Sequence, residues 1–269
     1  MSTLKDMAYA VWCVPKGAFD RAKIIFYSAK FRIYQRAGIL KRLSDAGFHT
    51  IEPYQEKEWA LFPVFKIYYT AWKDEQKVFI KIGNYQNVIE REVRAINYIQ
   101  ENSLLLRKHL PMLVGYSTQG AYPYIAENFI EAVSNRITRE YVENLAQQLT
   151  LIRNELFRMR VIHMDIRAKN ILVDENGCVY LIDFGMSYIQ DKIQDDKVFK
   201  TNTLPSKFWG LGGRRNPGRG IYDDAYSILL YLKEIYPDFK KDFKEYWKEL
   251  NAGTGEFEYR FKKIPRKCR

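Results

Sequence analysis

Cysteine is scarce in this sequence, and with it any basis for a disulfide framework. The 269 residues include three cysteines, Cys13, Cys178 and Cys268, whose odd number and wide spacing suit neither paired disulfides nor a zinc site. No apolar run of about 18 residues occurs, so the sequence predicts no membrane-spanning helix. Internal repeats and low-complexity tracts are also missing. We therefore expect a folded protein of a reducing compartment, located in the cytoplasm.

Acidic residues are fewer than basic residues in this sequence. The chain has 43 Lys and Arg against 32 Asp and Glu, which gives a net charge of +11. This excess favours an anionic partner, such as nucleotide phosphates, nucleic acid or an acidic membrane surface. Nucleic acid is the least expected of the three, because no recognised nucleic-acid-binding motif is present.

Much of the positive charge lies in residues 16–42. The basic side chains there are Lys16, Arg21, Lys23, Lys30, Arg32, Arg36, Lys41 and Arg42. Apolar residues recur at helical spacing in the same segment, which predicts a basic amphipathic helix that Gly38 and Gly47 punctuate at its end. One interpretation is a helix packed on the protein body with a solvated basic face. The other is a docking face for an anionic membrane surface, with the protein peripheral at the inner membrane.

The abundant residues indicate a folded α+β protein. The sequence is 47% hydrophobic and 15% aromatic, and its length allows one large domain or two small lobes. The patterns predict a strand hairpin over 62–82, a helix over 88–100, a strand over 123–131, a helix over 137–161, strands at 171–173 and 178–182, a loop over 201–220 and a helix over 222–236. Strands thus dominate the first half and helices the second.

The most informative stretch is VIHMDIRAKNILVDENGCVYLIDFG, residues 161–185. It contains His163 and Asp165, then Asn170, and then Asp183 in the sequence Asp-Phe-Gly. The residues between Asn170 and Asp183 form a tight predicted hairpin, so these two side chains can converge at one end of it. One amide and two carboxylates at such an edge make an oxygen-rich site for a hard divalent cation such as Mg²⁺.

This stretch resembles the catalytic loop (H-x-D-x-x-x-x-N) and the metal-binding D-F-G of the protein-kinase-like superfamily. The resemblance implies a two-lobed fold with a small β-rich N-lobe and a mainly helical, shortened C-lobe. We expect a basic amphipathic helical extension over residues 1–47, the N-lobe over 48–128 and the C-lobe over 129–269.

The resemblance also implies roles for the residues of this stretch. Asp165 would orient or accept the proton of the acceptor hydroxyl, and Arg167 would neutralise the transferring phosphate. Asn170 and Asp183 would hold Mg²⁺, or Mn²⁺ in its place, at the ATP phosphates. His163 would support the loop structurally.

Further positions outside this stretch match the same family. VFIKIG resembles the V-A-I-K strand, which makes Lys81 the lysine that binds ATP phosphates. Its partner glutamate would be Glu92, with Glu90 as the second choice. YIAENFIEA resembles the interlobe hinge, where backbone groups of residues 127–129 (Glu127, Asn128 and Phe129) would meet adenine. Asp224, in Asp-Ala-Tyr-Ser, would anchor the catalytic loop.

The sequence departs from the family pattern in several places. No glycine lies between Gly47 and Gly83, so the loop over the phosphates is expected near residues 54–60 without glycine. Met164 replaces the arginine of H-R-D, and no A-P-E motif follows D-F-G. These elements serve peptide binding and activation-loop switching in protein kinases, so their loss leaves the acceptor open.

The sequence thus predicts an ATP- and Mg²⁺-dependent phosphotransferase. Its acceptor is expected to be a protein Ser, Thr or Tyr hydroxyl. The alternatives are a sugar or glycolipid kinase of the lipopolysaccharide-core type and a pseudokinase scaffold. A pseudokinase would be expected to lack Lys81, Asp165, Asn170 or Asp183, and all four are present.

Overall fold

The protein is represented by a computed structural model that describes residues 36–54, 66–83, 86–134, 136–189, 215–216 and 221–254. The chain divides into two compact units, one of residues 1–86 and 114–129 and one of residues 87–113 and 130–269. Most of the predicted extension, residues 1–35, lies outside the described residues. The predicted domain boundaries at 47 and 128 stay predictions.

The first unit is built on a five-stranded sheet. Its elements are helix α1 (Arg36–Asp45) and strands β1 (His49–Pro53), β2 (Lys66–Lys73), β3 (Gln76–Gly83), β4 (Leu113–Ser117) and β5 (Tyr124–Asn128), in the sheet order β1-β2-β3-β5-β4. The predicted hairpin over 62–82 is confirmed as β2 and β3, whose register runs from Lys66↔Gly83 to Lys73↔Gln76. Aromatic and branched residues favour these strands, and the polar residues Asp74 and Glu75 turn the chain with positive φ.

Helix α1 covers one face of this sheet. Ile39 and Leu43 of the helix share a buried apolar core with alternate sheet residues such as Tyr69 and Ile80. Because side chains alternate along a strand, Lys81, the neighbour of Ile80, belongs to the opposite face. The helix therefore stabilises the sheet and leaves the lysine-bearing face to other side chains.

The end of α1 differs from the prediction at Gly38. This glycine lies inside the helix, which continues to Asp45, and a Cβ there would lie 3.2 Å from the ring of Tyr122. Gly47, with a φ of +87°, follows the helix end as predicted. The prediction that Gly38 marks the end of the helix is therefore wrong. At this position the small residue allows the helix to pack against Tyr122.

Two of the predicted basic docking residues are engaged within the first unit. Lys41 forms an exposed ion pair with Asp45 at 3.1 Å. Arg42 donates to the Ser117 hydroxyl at 2.6 Å and to the Gln119 carbonyl, so it braces the turn between β4 and β5. Docking of residues 16–42 on a membrane stays a prediction. Within the described ranges, no helix has the length and apolar character needed to cross a bilayer.

The second unit is mainly helical. Its elements are α2 (Gln86–Asn102), a 3₁₀ turn (Leu106–Lys108), α3 (Arg139–Arg158), β6 (Val161–Ile162), a 3₁₀ turn (Ala168–Asn170), β7 (Ile171–Val173), β8 (Val179–Leu181), a 3₁₀ turn (Phe184–Met186), β9 (Tyr188–Ile189), β10 (Arg215–Asn216), β11 (Ile221–Tyr222), α4 (Asp224–Ile235), α5 (Phe239–Asp242) and α6 (Lys244–Ala252). The α+β class is confirmed. The predicted loop over 201–220 is interrupted by β10, which pairs with β11.

Local signals explain where the two central helices begin. The Thr138 hydroxyl accepts from the Tyr141 N–H at the start of α3, and the Asp223 carboxylate accepts from the Tyr226 N–H at the start of α4. Leu145, Leu149 and Ile152 of α3 are buried at helical spacing. Two short antiparallel strand pairs, β6 with β9 and the β7–β8 hairpin, connect to the polar residues of the candidate site.

Candidate functional site

The loop between β6 and β7 is held at its start by Asp224. The Asp224 carboxylate, at the first turn of α4, accepts from the His163 N–H at 2.6 Å and from the Met164 N–H at 3.0 Å. Met164 adopts a φ of +66°, a conformation that a residue without a left-handed preference keeps only when its surroundings impose it. Burial raises the pKa of Asp224 to about 6, while the two backbone N–H groups oppose that shift.

His163 is a fully buried support of the same loop. Its Nδ1 accepts from the Asp165 N–H at 3.2 Å, and its Nε2 lies 3.0 Å from the Ile182 carbonyl. Since the first partner is a donor and the second an acceptor, the ring carries its proton on Nε2. The ring also packs edge-on against Phe184, with 4.5 Å between ring centroids. These contacts connect the loop to the Asp-Phe-Gly turn.

Asp165 lies at the centre of this arrangement and is 1% exposed. Its Oδ2 accepts from Asn170 Nδ2 at 2.9 Å and forms an ion pair with Arg167 at 3.1 Å. Its Oδ1 is also buried, and among the described residues no group donates a hydrogen bond to it. Burial raises the pKa of Asp165, Arg167 opposes the shift, and the nearby Asp183 adds to it.

Asn170 and Asp183 lie at the open end of the β7–β8 hairpin. The hairpin pairs Ile171 with Leu181, and the Ile182 N–H donates to the Asn170 carbonyl at 3.0 Å beyond that pair. Asp183 follows with a φ of +65° and a ψ of +63°, which bends the chain away from the strand. The predicted convergence of the two residues thus arises from the register of the hairpin.

An amide oxygen from Asn170 and a carboxylate from Asp183 suit Mg²⁺ chemically. Mg²⁺ is ordinarily held by one or two carboxylates together with substrate phosphates and water, and less often by a full set of protein ligands. Among the described residues, no group of three or more His, Cys, Asp or Glu is placed to hold a metal ion. Asn170 and Asp183 together offer the small number of oxygen ligands that Mg²⁺ ordinarily takes from a protein.

Helix α2 packs directly on the Asp-Phe-Gly turn. Arg91 donates from its guanidinium to the Gly185 carbonyl at 3.1 Å, and Arg91 is 5% exposed. A Cβ at Gly185 would lie 2.7 Å from Val88 Cγ1, so only glycine allows this approach. Sequence reasoning missed Arg91, although its position three residues after Val88 places it on the buried side of the helix.

Glu92, predicted as the partner of Lys81, lies on the same helix. It is fully buried, and its Oε2 is 3.7 Å from the position that a Cβ of Gly185 would take. Glu90, the second choice, is exposed. The pairing of Glu92 with Lys81 stays a prediction.

In the first unit, Lys81 forms a buried ion pair with Glu127. The Lys81 Nζ lies 3.1 Å from Glu127 Oε2, and the two side chains are 5% and 3% exposed. Sequence reasoning assigned only backbone groups of Glu127 to ligand binding. A usable signal was present, because a carboxylate inside the buried strand YIAEN requires a positive partner nearby.

The predicted adenine contacts, Glu127 to Phe129, lie at the end of β5. Phe79 of β3 pairs with Glu127, and the Phe129 N–H donates to the Lys77 carbonyl at 3.0 Å. The Phe129 N–H is therefore occupied within the sheet. Antiparallel neighbours alternate between bonded and non-bonded pairs, so the backbone groups of Asn128 point away from β3. The predicted phosphate loop at 54–60 lies outside the described residues after Tyr54.

Comparison with known proteins agrees with this geometry. Residues 66–206 match the model of the protein kinase domain. The chain is 22% identical over 222 residues to human NUAK family SNF1-like kinase 2, which covers 81% of this chain and 34% of the relative. It is 33% identical over 163 residues to dual specificity protein kinase zak2 of Dictyostelium discoideum, and the match covers 49% of this chain and 25% of that relative. It is 30% identical over 113 residues to CBL-interacting serine/threonine-protein kinase 19 of Arabidopsis thaliana, and the match covers 42% of this chain and 22% of that relative. The chain thus spans about a third of the first relative's length.

Proposed function

The chain belongs to the protein kinase domain family, and from this premise we propose that it transfers the γ-phosphoryl group of ATP to a hydroxyl group of a protein. Serine and threonine are the favoured acceptors, because several matched relatives are named serine/threonine-protein kinases. Tyrosine is included because one relative is named a dual specificity kinase.

One observation carries the proposal, namely the unequal environment of the two Asp165 oxygens. Asn170 and Arg167 hold Oδ2, which fixes the carboxylate in one orientation. Oδ1 is buried and accepts no hydrogen bond from the described residues, so it can accept one from an incoming hydroxyl. A general base needs this geometry first and a suitable pKa second, and burial raises the pKa of Asp165 above its ordinary value.

The predicted contacts of the nucleotide are each kept as a separate proposal. Lys81 would donate to phosphate oxygens, and backbone groups near Asn128 at the end of β5 would meet adenine. Asn170 and Asp183 would hold Mg²⁺ or Mn²⁺, which neutralises charge on the phosphates when bound.

In the proposed transfer step, the acceptor O–H donates its proton to Asp165 Oδ1, and the acceptor oxygen forms a bond to the γ-phosphorus. The bond between that phosphorus and the oxygen bridging to the β-phosphate breaks, and ADP leaves. Arg167, always charged, stands beside Asp165 and can stabilise the negative charge on the transferring group.

The proposal is tested with γ-labelled ATP on the parent chain and three variants, using cell lysate resolved into protein, lipid and glycan fractions. We expect label in the protein fraction. Asp165→Asn should retain ATP binding and lose at least about 100-fold in transfer, as expected for removal of a general base. Asp183→Asn should lose both transfer and Mg²⁺-dependent ATP binding.

Asp45→Asn, which alters an exposed carboxylate of α1, is the matched control and should transfer at the parental rate. Equal activity of Asp165→Asn and the parent would contradict the assigned base. Label confined to the glycan or lipid fraction would contradict the protein acceptor, and a parent chain that transfers no phosphate would contradict the enzyme.

A further inference from the structure

The buried ion pair between Lys81 and Glu127 joins two strands of one sheet. Strands β3 and β5 are antiparallel, with Lys81 opposite Ile125 and Phe79 opposite Glu127. All four side chains therefore share one face, and Glu127 is the diagonal neighbour of Lys81. A long lysine side chain reaches across this diagonal, and the 3.1 Å separation of Nζ and Oε2 shows that it does.

Aromatic rings surround this pair within the first unit. Tyr68 lies opposite Lys81 on β2, and its ring stacks on Phe79 with 5.4 Å between centroids. Tyr54 meets the same Phe79 ring edge-on at 5.0 Å. The two charged side chains are 5% and 3% exposed, and a charge pair attracts more strongly in such low-dielectric surroundings.

We propose that Glu127 helps to position Lys81 for ATP, an inference that rests on the proposed function. The carboxylate on β5 holds the ammonium group of β3 through the sheet itself. An ammonium group has three N–H donors, so a hydrogen bond to Glu127 does not prevent another donor from reaching a phosphate oxygen. The register of two paired strands thus contributes to the orientation of Lys81, in addition to the role that the resemblance to the kinase family assigns to Glu92 of α2.

The test measures ATP affinity and the separate values of KM and kcat for four variants. Glu127→Gln keeps the shape of the side chain and removes its charge. We expect its KM and Kd for ATP to rise about tenfold or more, with a smaller change in kcat, because a charge-assisted contact that orients the ground state is lost. Glu92→Gln, measured alongside, reports the separate contribution of α2. Glu75→Gln, at the exposed turn of the same hairpin, should match the parent.

Lys81→Met separates failure of the inference from failure of the proposed function. If Lys81→Met binds ATP as the parent does, both the function assigned to Lys81 and the inference are overturned. If Lys81→Met loses binding while Glu127→Gln retains parental KM, only the inference is overturned.

A second variant covers the case in which Glu127→Gln fails to fold. Glu127→Asp keeps the charge but shortens the side chain by one methylene group, which draws the ammonium group back toward β5. It is expected to fold with the parental circular dichroism spectrum and to show a KM for ATP that is several-fold higher. A parental KM in this folded variant overturns the inference.

Discussion

Two buried carboxylates, Glu127 and Asp165, are held in different ways. Glu127 lies in a regular strand, and the register between β3 and β5 places its partner Lys81 diagonally opposite. Asp165 sits in an irregular loop, where Asn170 and Arg167 hold its side chain and Asp224 holds the backbone just before it. The sheet needs only its ladder of backbone bonds to place a charge, whereas the loop needs several separate side-chain contacts.

The difference indicates where each region is vulnerable. Loss of one partner in the sheet leaves a buried charge uncompensated but leaves the backbone ladder intact. Loss of one contact in the loop frees the backbone that carries the candidate site residues, because no strand pairing spans residues 163–167. Substitutions in the loop should therefore affect transfer more than stability, and those in the sheet should affect stability and binding.

Among the residues that only support the two regions, Asp224 gives the largest expected effect, because Asp224→Asn weakens the backbone support of the loop. An amide at this position can accept from only one of the two N–H groups that the carboxylate serves now. We expect a loss of about 1.5–3 kcal/mol in the support of the loop, and so a fall in kcat of about 10- to 100-fold. The transfer of labelled phosphate from ATP measures the fall in kcat. A kcat equal to that of the parent would show that the loop does not depend on Asp224.

The same variant has a signature in the pH dependence of stability. Burial raises the pKa of Asp224 from 3.8 to about 6, so the native state binds this proton more tightly than the unfolded state does. The contribution of this carboxyl to the free energy of unfolding is therefore full at low pH and decreases as the pH rises through about 6. Denaturant titrations should show this decrease in the parent and lack it in Asp224→Asn. An identical profile in the two proteins would rule out the shift.

An intermediate effect is expected where α2 packs on the Asp-Phe-Gly turn. Gly185→Ala places a methyl group 2.7 Å from Val88 Cγ1, which costs about 1–3 kcal/mol of overpacking and displaces Asp183. Val88→Ala opens the required space, so the double variant should recover much of the lost stability and transfer. Thermal unfolding measures the stability of the single and double variants, and the labelled-ATP assay measures their transfer activity. Failure of Val88→Ala to rescue Gly185→Ala would point to backbone conformation as the cause.

The smallest effects are expected on α1, where two adjacent basic residues differ in their contacts. Arg42→Gln removes hydrogen bonds to Ser117 and to the Gln119 carbonyl, with an expected loss of about 1 kcal/mol in the free energy of unfolding. Lys41→Gln removes an exposed pair with Asp45, with an expected loss of about 0.3 kcal/mol. Denaturant unfolding compares them, and equal losses would show that the Arg42 contacts add nothing to stability.

Much of the fold was accessible from local sequence patterns. Two aromatic and branched runs on either side of a polar turn predicted the β2–β3 hairpin, and helical patterns predicted α2, α3 and α4 within a few residues of their bounds. Gly38 was misread as the end of α1, because a glycine at a helix end and a glycine beneath an aromatic ring look alike in sequence. Arg91 was missed because its partner, the Gly185 carbonyl, is a backbone group that no residue type marks.

The sequence by itself determined the local chemistry of residues 161–185. The spacing of Asp165, Asn170 and Asp183 around a tight hairpin is enough to bring those groups together, because the turn brings distant positions of one short segment side by side. Tertiary structure alone decided that Glu127 faces Lys81. Alternation along a strand tells which residues share its face, but it does not tell which strand will lie beside it or in what register, since packing of the whole sheet sets that neighbour.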